Sequence, residues 1–145
     1  MKQIGATIEI FASAERVWQV LTDFAAFPQW NPFIREISGE LNVGGKLDVY
    51  LKPSGRPGTR FRPVVLAAEP AQELRWLGRL WGIPKLLDGE HSFVIERLEA
   101  NRSRFVQREV FNGILVPLLS GTLAGAERSF IAMNAALKAR AEASR

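Results

Sequence analysis

Cysteine is absent from this chain of 145 residues, and its absence excludes several kinds of site at once. Without thiols there are no disulfides, thiolate nucleophiles, thiolate zinc sites or iron–sulfur clusters. His91 is the only histidine, so a metal site with two imidazoles and a cysteine–histidine triad are excluded as well. No glycine-rich phosphate loop and no Gly-x-Ser-x-Gly elbow occurs. We therefore expect no metal, no cofactor and no redox chemistry of the protein's own.

Long apolar runs are also missing. No stretch approaches the roughly twenty consecutive apolar residues that span a bilayer. Residues 1–13 carry an alternating pattern broken by Glu9, which is typical of a strand and not of the apolar core of a signal peptide. We therefore expect a cytoplasmic protein with no integral membrane association.

The formal net charge of +4 raises the question of a nucleic-acid partner. The arginines, however, are spaced singly and form no dense run. They include Arg56, Arg60, Arg62, Arg75, Arg79, Arg97, Arg102, Arg104 and Arg108. We interpret them as a solvated convex sheet face and expect no nucleic-acid partner, with a phosphate-binding surface as the alternative.

The stretch Leu115–Ala143 is predicted to form one long helix. Apolar residues recur in it at alternating spacings of four and three, which places them on one stripe. The stripe consists of Leu119, Leu123, Ala126, Phe130, Met133 and Leu137. Pro117 suits the first turn, and Lys138 and Arg140 lie near the end, where cations interact favourably with the helix dipole. Such a stripe needs a partner surface.

Two glycines lie within this helix. Gly121 and Gly125 each cost about 1 kcal/mol of helix stability relative to alanine. We expect them either to permit close approach of the sheet or to leave room for a ligand bordered by Leu118, Leu119 and Phe130.

Most of the remaining chain alternates apolar and polar residues, the pattern of half-buried strands. The predicted strands span Gln3–Phe11, Phe33–Leu41, Lys46–Lys52, Phe61–Ala68, Leu74–Leu77, Gly89–Leu98 and Arg104–Phe111. Pro63 places the fourth of these at a sheet edge or a bulge, and the pattern leaves its inward face unassigned. Two short helices follow the first strand, one capped by Ser13 and the other, Phe24–Trp30, capped by Asp23.

These elements predict an α+β fold in a single domain, residues 1–145. A curved antiparallel sheet of about seven strands would surround the long C-terminal helix. The segment Leu80–Leu87 is apolar but contains Gly82 and Pro84, which disfavour both strand and helix. We predict a hydrophobic loop there, either tucked under the core or placed at the mouth of a pocket.

The order of elements and several motifs resemble the START-like, helix-grip superfamily, also called SRPBCC, which includes birch-allergen proteins, polyketide cyclases and lipid-transfer domains. The resemblance covers nearly the full length. It rests on SAERVW at 13–18, FAAFPQWNP at 24–32, the Gly44-Gly45 turn, Trp76, and GEHSF at 89–93. It implies a long apolar cavity between the concave sheet face and the last helix, and a hydrophobic small molecule as the ligand.

The residues expected to line this cavity are mostly aromatic. The ligand-binding candidates are Trp30, Phe33, Trp76, Trp81, His91, Phe93, Gln107, Glu109, Phe111, Leu119 and Phe130. Each has a structural alternative: Trp30 would anchor the helical elbow to the sheet, and Trp76 would fill space in the core. Trp81 lies in the irregular loop, so it is the stronger ligand candidate of the three.

His91 and Glu109 are the candidate catalytic pair. His91 alternates with Phe93 and therefore shares its face, and Glu109 shares a face with Gln107 and Phe111. If both faces point inward, an imidazole and a carboxyl meet in an apolar cleft, where they can act as base and acid. The alternative is a hydrogen-bonded core histidine with a purely structural carboxyl partner.

Three functions remain open at this stage. The first is a small intracellular protein that binds a hydrophobic or aromatic molecule, such as a lipid or polyketide. The second is an enzyme resembling polyketide cyclases or dehydratases that uses His91 and Glu109. The third is a protein-interaction module resembling the ATPase-activator branch of the superfamily. The oligomeric state is left open, and a homodimer is compatible with all three.

Overall fold

The computed structural model describes residues 1–143 and has the predicted α+β architecture. Its strands are β1 (Lys2–Ile10), β2 (Ile34–Gly39), β3 (Leu47–Leu51), β4 (Thr59–Phe61), β5 (Val64–Glu69), β6 (Glu73–Arg79), β7 (Asp88–Glu99) and β8 (Arg102–Asn112). Its α-helices are α1 (Ala14–Thr22), α2 (Phe27–Trp30) and α3 (Ser120–Glu142). Short 3₁₀ turns cover Phe24–Ala26, Leu80–Gly82 and Val116–Leu119. No helix within the described range is long and apolar enough to cross a membrane.

The strands form two antiparallel groups that join into one curved surface. One group has the order β1-β8-β7-β6-β5 and the other the order β2-β3-β4. An isolated bridge between Lys46 and Val64 links them. The N–H of Gly44 donates to the carbonyl of Val65 at 2.8 Å, and the N–H of Leu47 to that of Pro63 at 3.0 Å. The curved sheet and long C-terminal helix confirm the predicted helix-grip arrangement.

The predicted strand Phe61–Ala68 is two strands, β4 and β5, so the described chain has eight strands instead of about seven. The break falls at Pro63, which has no N–H to contribute to a ladder. β5 lies at the edge of its sheet and carries a bulge between Val65 and Ala67, as Pro63 indicated. The inward face, which the sequence left unassigned, carries the buried side chains of Val65 and Ala67.

The helical elbow after β1 begins as predicted and then divides. The hydroxyl of Ser13 accepts a hydrogen bond of 3.0 Å from the N–H of Arg16 and caps α1. The predicted second helix, Phe24–Trp30, is a 3₁₀ turn followed by α2, and the side chain of Asp23 makes no capping hydrogen bond. Pro28 lies in the first turn of α2, where its missing N–H is tolerated.

The predicted helix Leu115–Ala143 is a 3₁₀ turn that continues into α3 at Ser120. On the predicted stripe, Phe130, Met133 and Leu137 are fully buried. The N-terminal members Leu119, Leu123 and Ala126 are half-buried.

The C-terminal end of α3 is fixed to the rest of the molecule. The guanidinium of Arg16 donates to the carbonyls of Arg140 and Ala141, each at 3.3 Å, and satisfies groups that the helix leaves unpaired. The N–H of Phe11 donates to Glu142 at 2.7 Å. Burial raises the pKa of the Glu142 carboxyl, but the hydrogen bonds from Lys138 and from Phe11 outweigh burial and lower this pKa.

Phe130→Ala should destabilise the fold far more than Ile131→Ala. Phe130 is fully buried, whereas its neighbour Ile131 is 55% exposed. Truncating a buried phenylalanine costs about 3–5 kcal/mol, and truncating an exposed residue about 0.5 kcal/mol or less. Denaturant unfolding of both variants measures the difference. Equal losses would contradict the placement of the stripe.

Candidate functional site

The candidate site lies on the inner face of β7 and β8, where the sheet meets α3. His91 is opposite Glu109 in the strand register, and Phe93 is opposite Gln107. The side chain of His91 is 2% exposed, and Phe93 and Gln107 are fully buried. The period-two pattern of both strands therefore places these side chains inward, as expected. Their roles toward a ligand remain predictions.

Aromatic rings surround the imidazole of His91. The ring of Phe93 stacks on it with centroids 4.4 Å apart. Phe130 of α3 lies at 5.0 Å and Trp76 of β6 at 5.4 Å. Three other sequence candidates thus contact His91, and they place the only imidazole of the chain in an apolar environment.

A chain of buried hydrogen bonds connects His91 to α3. Gln107 Nε2 donates to Asn134 Oδ1 at 2.9 Å. In this orientation of the Gln107 amide, Oε1 faces His91 Nε2, also at 2.9 Å. With Oε1 as the acceptor, Nε2 of the imidazole carries the proton. In the neutral ring, Nδ1 is then the basic nitrogen.

Glu109 faces that basic nitrogen. Its Oε1 lies 3.5 Å from His91 Nδ1, and its side chain is 18% exposed. A Cβ at Gly89 would lie 2.6 Å from Glu109 Oε2, so the glycine leaves space for the carboxylate. The carboxylate therefore stands between a buried imidazole and the open end of the sheet, a position suited to proton transfer. The described residues contain no cluster of three His, Asp or Glu side chains that could hold a metal ion.

Asn134 is a site residue that sequence reasoning missed. It is 2% exposed and lies four residues after Phe130, which places both on one helix face. A polar residue next to the apolar stripe was the available signal. Its Nδ2 has no hydrogen-bond partner, so the site retains one free donor.

Trp30 and Phe33 belong to the elbow side of the interior. Phe33 is buried, and its ring centroid lies 5.6 Å from that of Phe130. Trp30 is half-buried and makes an edge contact with Phe27 of the same helix at 5.1 Å, so its role as anchor or ligand contact stays a prediction. The buried Nε1 of Trp30 has no partner.

Three candidates lie away from the imidazole. Phe111 and Leu119 are half-buried near the end of the sheet, and Phe111 is 3.6 Å from a Cβ built on Gly89. Trp81 is 80% exposed, so the loop presents it to solvent instead of placing it against the core. Its φ of 53° is in the left-handed region, which costs a non-glycine residue roughly 1 kcal/mol.

Among the described residues, the aromatic part of the interior has no open cavity of the kind that the resemblance implies. The space between the elbow and the sheet has no room for a water molecule. It is lined by Leu21, Phe24, Phe27, Ile34, Ile37, Leu74, Trp76 and Phe93. Large side chains on both layers fill it, and sequence reasoning did not sum their volumes.

No close approach of the sheet requires the glycines of α3. A Cβ at Gly125 would lie 3.5 Å from the carbonyl oxygen of Ser54, an ordinary van der Waals distance, and Gly121 has open space around it. The N–H of Ser54 donates to the hydroxyl of Ser129 at 2.8 Å. Arg56 donates to the carbonyl of Gly121 at 3.0 Å. The loop after β3 is thus tied to the first half of α3.

Comparison with known proteins agrees with this architecture. A family model described as polyketide cyclase / dehydrase and lipid transport matches residues 1–142. The chain belongs to this family. The START-like resemblance predicted from the sequence is thereby confirmed. No curated protein matches the chain.

Several solved structures share the fold of this chain. A START superfamily protein from Mycobacterium smegmatis is 20% identical, with a TM-score of 0.75 and 97% of each chain covered. The Zhui aromatase/cyclase from Streptomyces sp. R1128 is 17% identical, with a TM-score of 0.74 over 97% of this chain and 93% of that one. A Thalictrum flavum norcoclaurine synthase mutant, bound to a transition-state analogue, is 17% identical, with a TM-score of 0.65 over 97% and 93%.

Because His91 is the only histidine of the chain, its tautomer can be measured directly. We expect ¹⁵N NMR of this protein to show the neutral imidazole of His91 in its Nε2–H form, because Gln107 Oε1 faces Nε2 at 2.9 Å. In Asn134→Leu the Gln107 amide loses its acceptor and is free to rotate, so the Nδ1–H form should increase. Asn134→Asp retains the acceptor and serves as the control. An Nδ1–H form in the wild type would contradict the assigned orientation.

Proposed function

We propose that this protein binds an apolar or aromatic small molecule between its sheet and α3. The observation that carries the proposal is the aromatic enclosure of His91, with Phe93 and Phe130 in contact with the imidazole. Membership of a family described by cyclisation and lipid transport supports a ligand of this class. Burial against these rings would supply most of the affinity.

Some buried polar atoms have no hydrogen-bond partner, and they indicate which polar groups the ligand contains. Trp30 Nε1, Asn31 Nδ2 and Asn134 Nδ2 are buried donors without a partner. An unpaired buried donor costs about 1–3 kcal/mol, and a carbonyl or ether oxygen on the ligand would remove that cost. We therefore propose an apolar molecule with acceptor oxygens, such as an aromatic ketone, oriented by Asn134.

Binding requires the interior to open, because side chains fill its aromatic part. The first half of α3 is the segment best suited to move, because it contains Gly121 and Gly125 and most of its residues are exposed or half-buried. Two hydrogen bonds, from Ser54 to Ser129 and from Arg56 to Gly121, hold the neighbouring loop against it. The C-terminal half is fixed by Arg16 and would serve as the pivot.

A matched pair of ligands tests the orienting role of Asn134. We expect the wild type to bind acetylnaphthalene more tightly than ethylnaphthalene, by roughly fivefold, the value of one hydrogen bond. Asn134→Leu should remove this preference, and Ile131→Ala should retain it. Intrinsic tryptophan fluorescence follows the binding, since Trp76 lies 5.4 Å from His91.

Native mass spectrometry of protein isolated from its host provides the second measurement. A small molecule that co-purifies and is extracted by organic solvent would support the proposal. A protein that carries no small molecule and binds neither naphthalene would contradict it.

The second candidate function is a cyclase- or dehydratase-like enzyme, favoured by the 3.5 Å separation of His91 Nδ1 and Glu109 Oε1. In a dehydration, Nδ1 would accept the proton from the carbon next to a carbonyl. Glu109 in its protonated form would give its proton to the leaving hydroxyl, which departs as water. The Nε2–H bond to Gln107 would stabilise the imidazolium that forms.

His91→Ala and Glu109→Gln test this enzyme function. Both should lower the rate at which a β-hydroxy ketone loses water by about 10²–10⁴-fold, the usual contribution of a positioned acid or base, while ligand binding stays nearly intact. Ser92→Ala is the control, because Ser92 is the neighbour on the opposite face of β7. Full turnover in both variants would rule out the assigned pair.

A further inference from the structure

Four large apolar side chains are exposed together at one end of the sheet. They are Trp81 (80% exposed), Ile83 (49%), Ile114 (74%) and Leu118 (76%), and we call them the apolar rim. Single exposed hydrophobic residues are common, but a group of this kind marks an interaction surface. None of the four takes part in the hydrogen bonds that join His91, Gln107 and Asn134.

The two segments that carry the rim are joined through their backbones. The N–H of Ile114 donates to the carbonyl of Lys85 at 3.1 Å. The N–H of Leu115 donates to the carbonyl of Leu86, also at 3.1 Å. The segment between β6 and β7 and the segment between β8 and α3 therefore form one continuous surface.

Trp81 is held outward at a cost. Its backbone is in the left-handed region, with φ 53°, yet its side chain gains little burial. Local strain at an exposed aromatic residue indicates a role outside the folded core.

Positive charge borders the rim. Lys85 is exposed between rim residues, and Trp81 itself lines an adjoining groove of about 810 Å³. That groove also contains Lys46, Arg60, Arg62 and Arg79. Arg60 is paired with Glu36 and Asp48, and Arg79 with Asp88 at 3.5 Å. Among the described residues, Lys46 and Lys85 have no carboxylate within ion-pair distance, and the pair of Arg62 with Asp48 is long, at 3.7 Å.

The opposite end of the sheet carries its charges in pairs. Glu9 is bonded to Arg102, and Glu96 to Arg104 at 3.3 Å. Near the rim, residues 113–126 contain no charged side chain. An apolar surface edged by cations is therefore confined to one end of the molecule.

We propose that the apolar rim docks onto an anionic phospholipid bilayer. Trp81 would occupy the interfacial region, where tryptophan is favoured, and the aliphatic side chains would insert among the acyl chains. The bordering cations would bind lipid phosphates. A second copy of the chain fits less well, because a two-fold interface would bring two equally cationic patches together. The docking does not depend on the identity of the interior ligand.

Vesicle co-sedimentation tests the docking. The full chain is mixed with vesicles of phosphatidylcholine alone or of equal parts phosphatidylcholine and phosphatidylglycerol. We expect sedimentation with the mixed vesicles and a blue shift of tryptophan emission as Trp81 leaves water. Trp81→Asn, which tolerates a positive φ, and Leu118→Glu should each weaken binding at least tenfold. Ile131→Glu, the same kind of change on an exposed face of α3, should leave binding unchanged.

The charges are tested separately. Arg62→Gln combined with Lys85→Gln should weaken binding to the mixed vesicles by about fivefold for each charge, and added salt should weaken the wild type similarly. A wild type that does not sediment with the mixed vesicles would overturn the proposal. So would equal effects of Leu118→Glu and Ile131→Glu, or a dimer in light scattering that Leu118→Glu dissociates.

Discussion

The contact of Phe130 with both parts of the sheet is the interaction on which the rest of the structure depends. Its ring lies 5.6 Å from Phe33, next to β2, and 5.0 Å from His91 on β7. The two groups of strands share few direct hydrogen bonds, so a side chain from α3 that touches both fixes their relative position. Close-packed interiors transmit such constraints, and the curvature of the sheet around α3 follows from this one wedge.

This packing explains why a row of hydrogen-bonded polar side chains is stable in the core. Burying an imidazole and two amides is unfavourable unless each finds a partner. The bonds from Gln107 to both His91 and Asn134 supply partners at 2.9 Å, while the aromatic rings exclude water. The low local dielectric strengthens these bonds. It also favours a hydrogen bond from Asn134 Nδ2, the donor of this chain that has no partner, to an acceptor oxygen.

The sequence allowed the prediction of the elements and of the His91–Glu109 pairing, because both follow from local periodicity. Two adjacent strands with a short connection must be antiparallel neighbours, and alternation then decides which side chains meet. Asn134 was missed because the rotation of α3 relative to the sheet is set by tertiary packing. The filled interior was missed because the alternating pattern of a strand shows which side chains point inward but not how much volume they fill together. Pro63 was recognised as an interruption, but whether it ends a strand or only bends it depends on its partner strand.

The two ends of α3 are held in different ways, and this determines where the interior can open. At the C-terminal end, Arg16 caps the last carbonyls and Glu142 binds Phe11. At the other end, Gly121 has open space around it, and the 3₁₀ turn before α3 carries Leu118 of the apolar rim. A pivot at the fixed end would therefore open the interior beside Glu109 and the rim. If the rim docks on a bilayer, the opening faces the lipid, and an apolar ligand would pass between bilayer and interior without crossing water.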